Sequence, residues 1–462
     1  MKKIITLSLL AIAAIALQAK VYTFADLAAI ENSGVTLVDG AYVVSVDATL
    51  SEAVTLDDGG LTVSKTQITI NEGNSLQLVG GEVIKFAGSA QLVVMGEALL
   101  NPETGAIVTA AEGSEGTAKG FWVKGETANA IVENVNFKYV GFTFSNGTES
   151  GHLEMRNCTM DQFNGKNSQQ AISFNARGDG NIIDHCTFTG AKVSAIGNGS
   201  NTPVGIVVSN CTFLNNSTDK RNRPVINLSV GNYDVIIENN LVKGLAENTL
   251  AGGIAVSNLL GSDIGDAKIY VRNNVIQDNR YGITLTGKGH VFIEDNAIIN
   301  NHWDSNPMTG GSGINITDSK GYANAFIKGN LVTGSYWGIS IIGAETTVVN
   351  VGKIDDPEAE DYNPGLNVLR DNGVDGALYD LYNNSPITVY AQGNVWGVTK
   401  QTRDEIATVI YDKNDDETLG EVIFWSGDEP VTGDVNRDGI VNGSDVTKLY
   451  NILLDNEEEP TE

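Results

Sequence analysis

From Ile131 to Trp396 one short pattern keeps returning: apolar residues two apart, then a polar residue, then an Asn or Cys followed by another apolar side chain. The copies read IVENVNF (Ile131–Phe137), LEMRNCTM (Leu153–Met160), IIDHCTF (Ile182–Phe188), VVSNCTF (Val207–Phe213), VIIENNLV (Val235–Val242), IYVRNNVI (Ile269–Ile276), VFIEDNAI (Val291–Ile298), AFIKGNLV (Ala325–Val332) and TVYAQGNVW (Thr388–Trp396). Aligned, they place Val135, Cys158, Cys186, Cys211, Asn240, Asn274, Asn296, Asn330 and Asn394 in one column, most of them 22 to 34 residues apart. Apolar residues two apart mark a strand with one buried face. Self-similarity at this spacing marks stacked repeats rather than a compact globule.

A second pattern lies between the copies: GFWV (Gly120–Val123), GFTF (Gly141–Phe144), AISF (Ala171–Phe174), VINL (Val225–Leu228), GIAV (Gly253–Val256), GITL (Gly282–Leu285), GINI (Gly313–Ile316) and GISI (Gly338–Ile341). One such strand, a turn, and two strands hinged at the Asn or Cys position make one rung of a parallel β-helix. Rungs stack about 4.8 Å apart, as neighbouring strands do. An inward Asn at the hinge can bond the rungs above and below it, so each buried amide is satisfied by its own repeat. The chain resembles the right-handed parallel β-helix proteins, a superfamily that includes pectate lyases and glycoside hydrolases. The expected fold is all-β, a right-handed parallel β-helix of about a dozen rungs by the repeat spacing, with a short C-terminal calcium loop and helix.

The flanks set the expected domain plan. Lys2, Lys3 and the apolar run Ile4–Leu17 before Ala19 read as a secretory signal over residues 1–19, too short for a membrane span. Residues 20–60 are expected to cap the solenoid and begin its strands, with a short helix over Thr23–Gly34. The solenoid itself is expected over 61–426 and closes after Ala391–Gly397, a stretch similar to the AQxNxWG element of many secreted β-helix proteins. A linker (427–432), a calcium repeat (433–454) and an acidic tail (455–462) follow. A secreted or cell-surface location on a bacterium is expected. A net charge of −28 repels nucleic acid and anionic membranes and favours cations or neutral glycans. The three Cys share the hinge column on consecutive rungs, where in-line side chains stand farther apart than a disulfide spans. Three free buried thiols are therefore expected.

The segment GDVNRDGIVNGSDVTKLYNILL (Gly433–Leu454) has hard oxygen donors at EF-hand spacing. Asp434, Asn436 and Asp438 stand at positions 1, 3 and 5, Gly439 makes the turn, Ile440 offers its carbonyl, and Asn442 and Asp445 complete the set for one Ca2+. The tail resembles a dockerin repeat, with Val441, Val446, Leu449, Tyr450, Leu453 and Leu454 at its apolar positions. Dockerins carry two such repeats and this chain has one. The resemblance implies docking to a cohesin-like protein.

Most charged residues have a structural explanation. The outward position two before the hinge residue reads Glu133, Arg156, Asp184, Ser209, Glu238, Arg272, Glu294, Lys328, a ladder of surface ion pairs. Asp184-His185 resembles the WIDH element of pectate lyases, yet Asp184 belongs to this ladder and His185 aligns with Asn157, Asn210 and Asn239. The outward column Thr143, Ser173, Asn227, Thr284, Asn315, Ser340 offers hydrogen-bonding groups without acid or base, and so reads as a binding floor. Its edge is expected to carry a glycan site of Arg221, Arg223, Arg280, Tyr281, Trp303, Tyr336 and Trp337, since aromatic rings stack on sugars and Arg grips carboxylates. If the protein is an enzyme, Arg280 or His302 would be the base of a polysaccharide lyase, with Asp304 as a calcium ligand. Three readings follow: a secreted polysaccharide-binding β-helix, a lyase or hydrolase of acidic glycans, or a display component attached through its tail. A monomer is expected.

Overall fold

The computed structural model describes residues 67–425 apart from gaps at 71–72, 79, 82, 127, 147–150, 164–169, 176, 247, 308, 318–322 and 344–346, the short strands between residues 20 and 57, the isolated positions Asp26, Ala29 and Val435, and the helix Gly443–Leu454. The signal, the helix expected over Thr23–Gly34, the linker and the acidic tail fall wholly or almost wholly outside these residues.

The chain winds into a right-handed parallel β-helix with three sheets of 14, 14 and 15 strands. Each coil contributes a return strand such as Ala251–Asn258, a leading strand such as Lys268–Arg272, and, after the hinge, a trailing strand such as Val275–Gln277. Successive coils pair in parallel register, for example Ile254↔Ile283, Val271↔Ile293 and Ile276↔Ile298. Inward side chains therefore pile on like side chains. The first coils fill the interior with Phe86, Phe121, Phe137, Phe142, Phe144, Phe174, Phe188 and Phe213, and later coils use Ile and Val. Each such burial stabilises by about 1.5–3 kcal/mol. Phe188 and Phe213 stack at 4.8 Å with 7° between their planes.

Two of the three turns in each coil are tight corners, and in most later coils each uses a left-handed residue followed by a buried polar one. At the first corner Asn157, His185, Asn210, Asn239, Asn273 and Asp295 have φ between 51° and 57°. The residues after them form the hinge column. Asn240 Nδ2 donates to Asn274 Oδ1 at 3.0 Å, Asn274 to Asn296 at 3.0 Å, Asn296 to Asn330 at 2.9 Å, Asn330 to Asn367 at 2.9 Å, and Asn367 to Asn394 at 2.8 Å. Asn367 is a member the sequence column omits. The insertion Lys353–Gly365 separates it from its leading strand Val348–Gly352, so no apolar alternation directly precedes it. The ladder continues downward through sulfur: the Cys211 N–H donates to Asn240 Oδ1 at 2.9 Å and the Cys186 N–H to Cys211 Sγ at 3.4 Å. All three thiols are free and buried, and burial pushes the Cys158 thiol up, so it stays protonated. The second corner has its own column, in which Asn279 bonds Asn301 and Ser335 bonds Asn372.

Described elements lie over part of each end of the solenoid. Strand Val35–Val38 runs antiparallel on Ala41–Val44, the first parallel strand of the return sheet. At the other end Thr402 caps helix α1 (Arg403–Ala407), which lays Ile406 over the last coil, while Trp396 meets Phe424 edge-on at 6.4 Å. Helix α2 is Gly443–Leu454.

Candidate functional site

The second corner brings most of the expected edge residues together. Backbone bonds link Arg280 to Ala251, Gly311 to Arg280, and Tyr336 and Trp337 to Gly311, so these positions occupy successive coils. Arg223 pairs with Ala251 and thus stands two coils from Arg280. Arg221 lies farther out, its side chain 70% exposed beside Asp219, which also holds Arg223 Nε at 2.9 Å.

Their side chains are largely occupied with one another. Arg280 is only 8% exposed and forms an ion pair with Asp304. Asp304 also accepts from Thr309 Oγ1 at 2.8 Å and from the Asn306 N–H at 3.1 Å. Burial acts to raise the Asp304 pKa, but these hydrogen bonds and Arg280 hold it below the usual carboxylate range. His302 Nδ1–H donates to the Gly334 carbonyl at 2.7 Å, and Trp303 Nε1–H to the Asp278 carbonyl at 2.9 Å. The result is a pinned loop, His302–Gly311. Gly311, at φ 75°, lies directly against Tyr336 and Trp337, where a larger side chain has no room.

These contacts show how the expected site residues are engaged in the folded chain. Arg280 is paired with the Asp304 carboxylate, whose oxygens also accept from Thr309 and from the Asn306 N–H. Tyr281 at 7% and Trp337 at 4% exposure lie beneath the turn and present no face to a sugar. His302, Trp303 and Tyr336 remain half-buried at the rim, with ring centroids 4.7 Å (His302–Trp303) and 5.7 Å (His302–Tyr336) apart.

Beside this rim the outer face of the return sheet runs the length of the solenoid. Register places Trp122, Thr143, Ser173, Gly197, Asn227, Ala255, Thr284, Asn315, Ser340, Tyr382 and Tyr411 in one column, in which Thr143, Asn227, Thr284 and Asn315 are partly exposed while Ser173, Ala255 and Ser340 are buried. The polar members are aligned by one another: Thr284 Oγ1–H donates to Asn315 Oδ1 at 3.1 Å and Asn315 Nδ2 to Ser340 Oγ at 2.8 Å. No ionisable carboxylate or amine stands in the column itself. Two of the sequence gaps in that column, Gly197 and Ala255, are small residues that keep the floor flat.

The column ends in rings that sequence reasoning missed. Tyr382 stacks on Tyr411 at 4.8 Å, and Tyr379 meets both edge-on at 5.7 and 6.3 Å. Trp337 reaches Tyr382 at 6.2 Å, so one chain of aromatic contacts runs from Trp303 to Tyr411. The signal for Tyr382 was weak because its strand, Leu381–Asn384, follows a two-stranded hairpin rather than a regular turn.

On the leading sheet the ion-pair ladder is present: Arg156–Asp184 at 3.2 Å, Arg272–Glu238 at 2.7 Å and Lys328–Glu294 at 3.2 Å. Burial acts to raise the Asp184 pKa, but hydrogen bonds from Asn210, His185 and Ser209 outweigh it and hold the carboxyl at about 2. His185 sits at the left-handed corner position, φ 51°, and turns its Nδ1–H to Asp184 at 2.8 Å. Both residues do here what their repeat neighbours do.

Of the calcium set, Asp434, Asn436, Asp438, Ile440 and Asn442 lie outside the described residues, and Asp445 is buried in the first turn of α2. Among the described residues no group of three His, Cys, Asp or Glu side chains is placed to hold a metal, and no helix is long and apolar enough to cross a membrane.

The family model described as the right-handed beta helix region matches residues 119–298. No curated protein matches the chain. Among solved structures, a mutant of a periplasmic alginate epimerase shares 12% identity over 88% of this chain and 84% of that one, at a TM-score of 0.29.

Proposed function

We propose that this chain is a polysaccharide-binding β-helix working outside the cytoplasm, which lays a glycan along the outer face of the return sheet. One observation carries the reading: an uncharged column held in register over many coils, with the hydroxyl and amide groups of Thr143, Asn227, Thr284 and Asn315 partly exposed and half-buried aromatic rings along one edge and at one end. Sugar hydroxyls need paired donors and acceptors, and their C–H faces need flat apolar surface. The reading needs no reaction at Arg280, His302 or Asp304, which are held by the Arg280–Asp304 ion pair, the His302 bond to the Gly334 carbonyl and the Thr309 bond to Asp304.

Affinity electrophoresis of the whole chain through gels carrying mixed-linkage β-glucan, galactomannan, alginate or polygalacturonate tests it. At least one polysaccharide should retard the wild type, and Thr284→Arg, which raises a long side chain in mid-floor, should restore free migration. Unretarded migration in every gel would discard the reading.

The tail is proposed to bind one Ca2+ through Asp434, Asn436, Asp438, the Ile440 carbonyl, Asn442 and Asp445, all hard oxygen donors. Val446 and Leu449 of α2 are exposed and offer an apolar face that a cohesin-like protein would cover. Calorimetry should give a one-site calcium heat in wild type that Asp434→Ala abolishes; equal heats in the two would remove the loop assignment.

A further inference from the structure

The return sheet stops at Ile410–Tyr411, its last strand. One face of the Tyr411 ring lies on Tyr382, at 4.8 Å and 20°, and among the described residues no further rung of that sheet stacks on the other. Both rings are half-exposed, and Tyr379 braces them edge-on. This is a platform whose supporting ring is already ordered, so a ligand stacking on it immobilises little protein.

The loop after the platform is predominantly acidic. Asp415 and Asp416 follow directly on the next loop and act on the Tyr411 phenol, which burial and these two carboxylates push up, so the ring stays a neutral hydrogen-bond donor. Lys413, the one cation of that loop, is paired with Glu421 at 2.7 Å. Asp416 is fixed by the Thr418 N–H and hydroxyl at 2.9 and 2.7 Å, with both bonds on its Oδ1. Carboxylates accept hydrogen bonds from sugar hydroxyls and repel a sugar that carries its own carboxylate. A platform built for uronates would set a guanidinium or ammonium there instead.

Resting on the reading of the return face as a glycan floor, we infer that the Tyr382–Tyr411 end is a terminal subsite for a neutral hexose unit, and that the ligand is an uncharged polysaccharide rather than a polyuronate. The apolar face of the hexose stacks on Tyr411 while its hydroxyls meet the Asp415 and Asp416 side and the Tyr379 phenol.

The test uses the full chain, wild type and Tyr411→Ala, in affinity gels carrying β-glucan, galactomannan or polygalacturonate, with thermal unfolding recorded for both proteins. A neutral polysaccharide should retard the wild type and polygalacturonate should not. Tyr411→Ala should weaken neutral binding by about tenfold or more, while Tyr411→Phe keeps it. In wild-type protein, which avoids any folding defect of the variant, nitration by tetranitromethane mapped by mass spectrometry should modify Tyr411, and the neutral glycan should protect it. Retardation by polygalacturonate alone overturns the inference and leaves the glycan floor standing. So does neutral binding that Tyr411→Ala leaves unchanged without protection from nitration. Failure of every polysaccharide to bind removes the floor and the inference together.

Discussion

Asn296→Ala is expected to lower the stability of the solenoid by about 3–5 kcal/mol in urea unfolding, from the orphaned buried groups and the cavity it leaves. Asn296 Oδ1 accepts from both the backbone and side-chain nitrogens of Asn274, each at 3.0 Å. Its Nδ2 donates to the Val271 carbonyl at 2.8 Å and to Asn330 at 2.9 Å. Truncation strands the Asn274 N–H and the Val271 carbonyl in a water-free interior, and it cuts the ladder in its middle. Since each coil contacts only its neighbours, one weak coil separates two otherwise stable stacks. The adjacent corner residue provides the contrast. Asn273 holds φ 54°, a conformation glycine adopts freely, and Asn273→Gly should change stability by less than about 1 kcal/mol. Equal losses for the two variants would mean that the corner geometry, not the ladder, holds the coils together.

Arg280→Ala should cost about 3 kcal/mol, because it removes one partner of a largely desolvated ion pair and leaves the Asp304 carboxylate behind. The loop His302–Gly311 hangs on that carboxylate through Thr309 and Asn306, so it should become open to limited proteolysis while the distant coils keep their protection. Asp304→Asn should reproduce most of the effect, since a neutral amide in that place no longer balances the guanidinium. A stable Arg280→Ala protein with an uncut loop would show that the pin is ornamental. Should that stable variant instead lose a polysaccharide-cleaving activity of the wild type, the lyase reading of Arg280 would return.

Particular residues show how far the sequence reached and why it stopped. The hinge column was legible because Asn240, Asn274, Asn296 and Asn330 each follow an apolar alternation within one strand, a purely local signal. Asn367 was hidden by the insertion before it, which breaks the spacing although the amide takes its place in the ladder at 2.9 Å. The second polar column was also present in the text of the chain: Asn216, Asn279, Asn301, Ser335 and Asn372 each come five residues after a hinge residue. It escaped notice because those positions carry no hydrophobic period of their own. At the rim, repeat order brings Arg280, Trp303, Asp304 and Trp337 near one another, while what each side chain holds is not legible from it. Proximity in a stack follows from repeat order, but whether an Arg faces solvent or a carboxylate depends on the path of a ten-residue loop.

The amino-acid order alone determined that this chain coils, which faces are buried, where the thiols and amides pile up, and which surface bears paired charges, because each of these is a period-two or once-per-turn property of neighbouring residues. Only the folded molecule decided which polar atoms were already taken, as with Arg280, His302 and Asp304, and which rings met at the end of the return sheet. Tyr379, Tyr382 and Tyr411 are brought together by a hairpin, a coil of irregular length and the turn of α1. Their meeting depends on register between coils of unequal length, and that register is set by the summed packing of the core rather than by any local pattern.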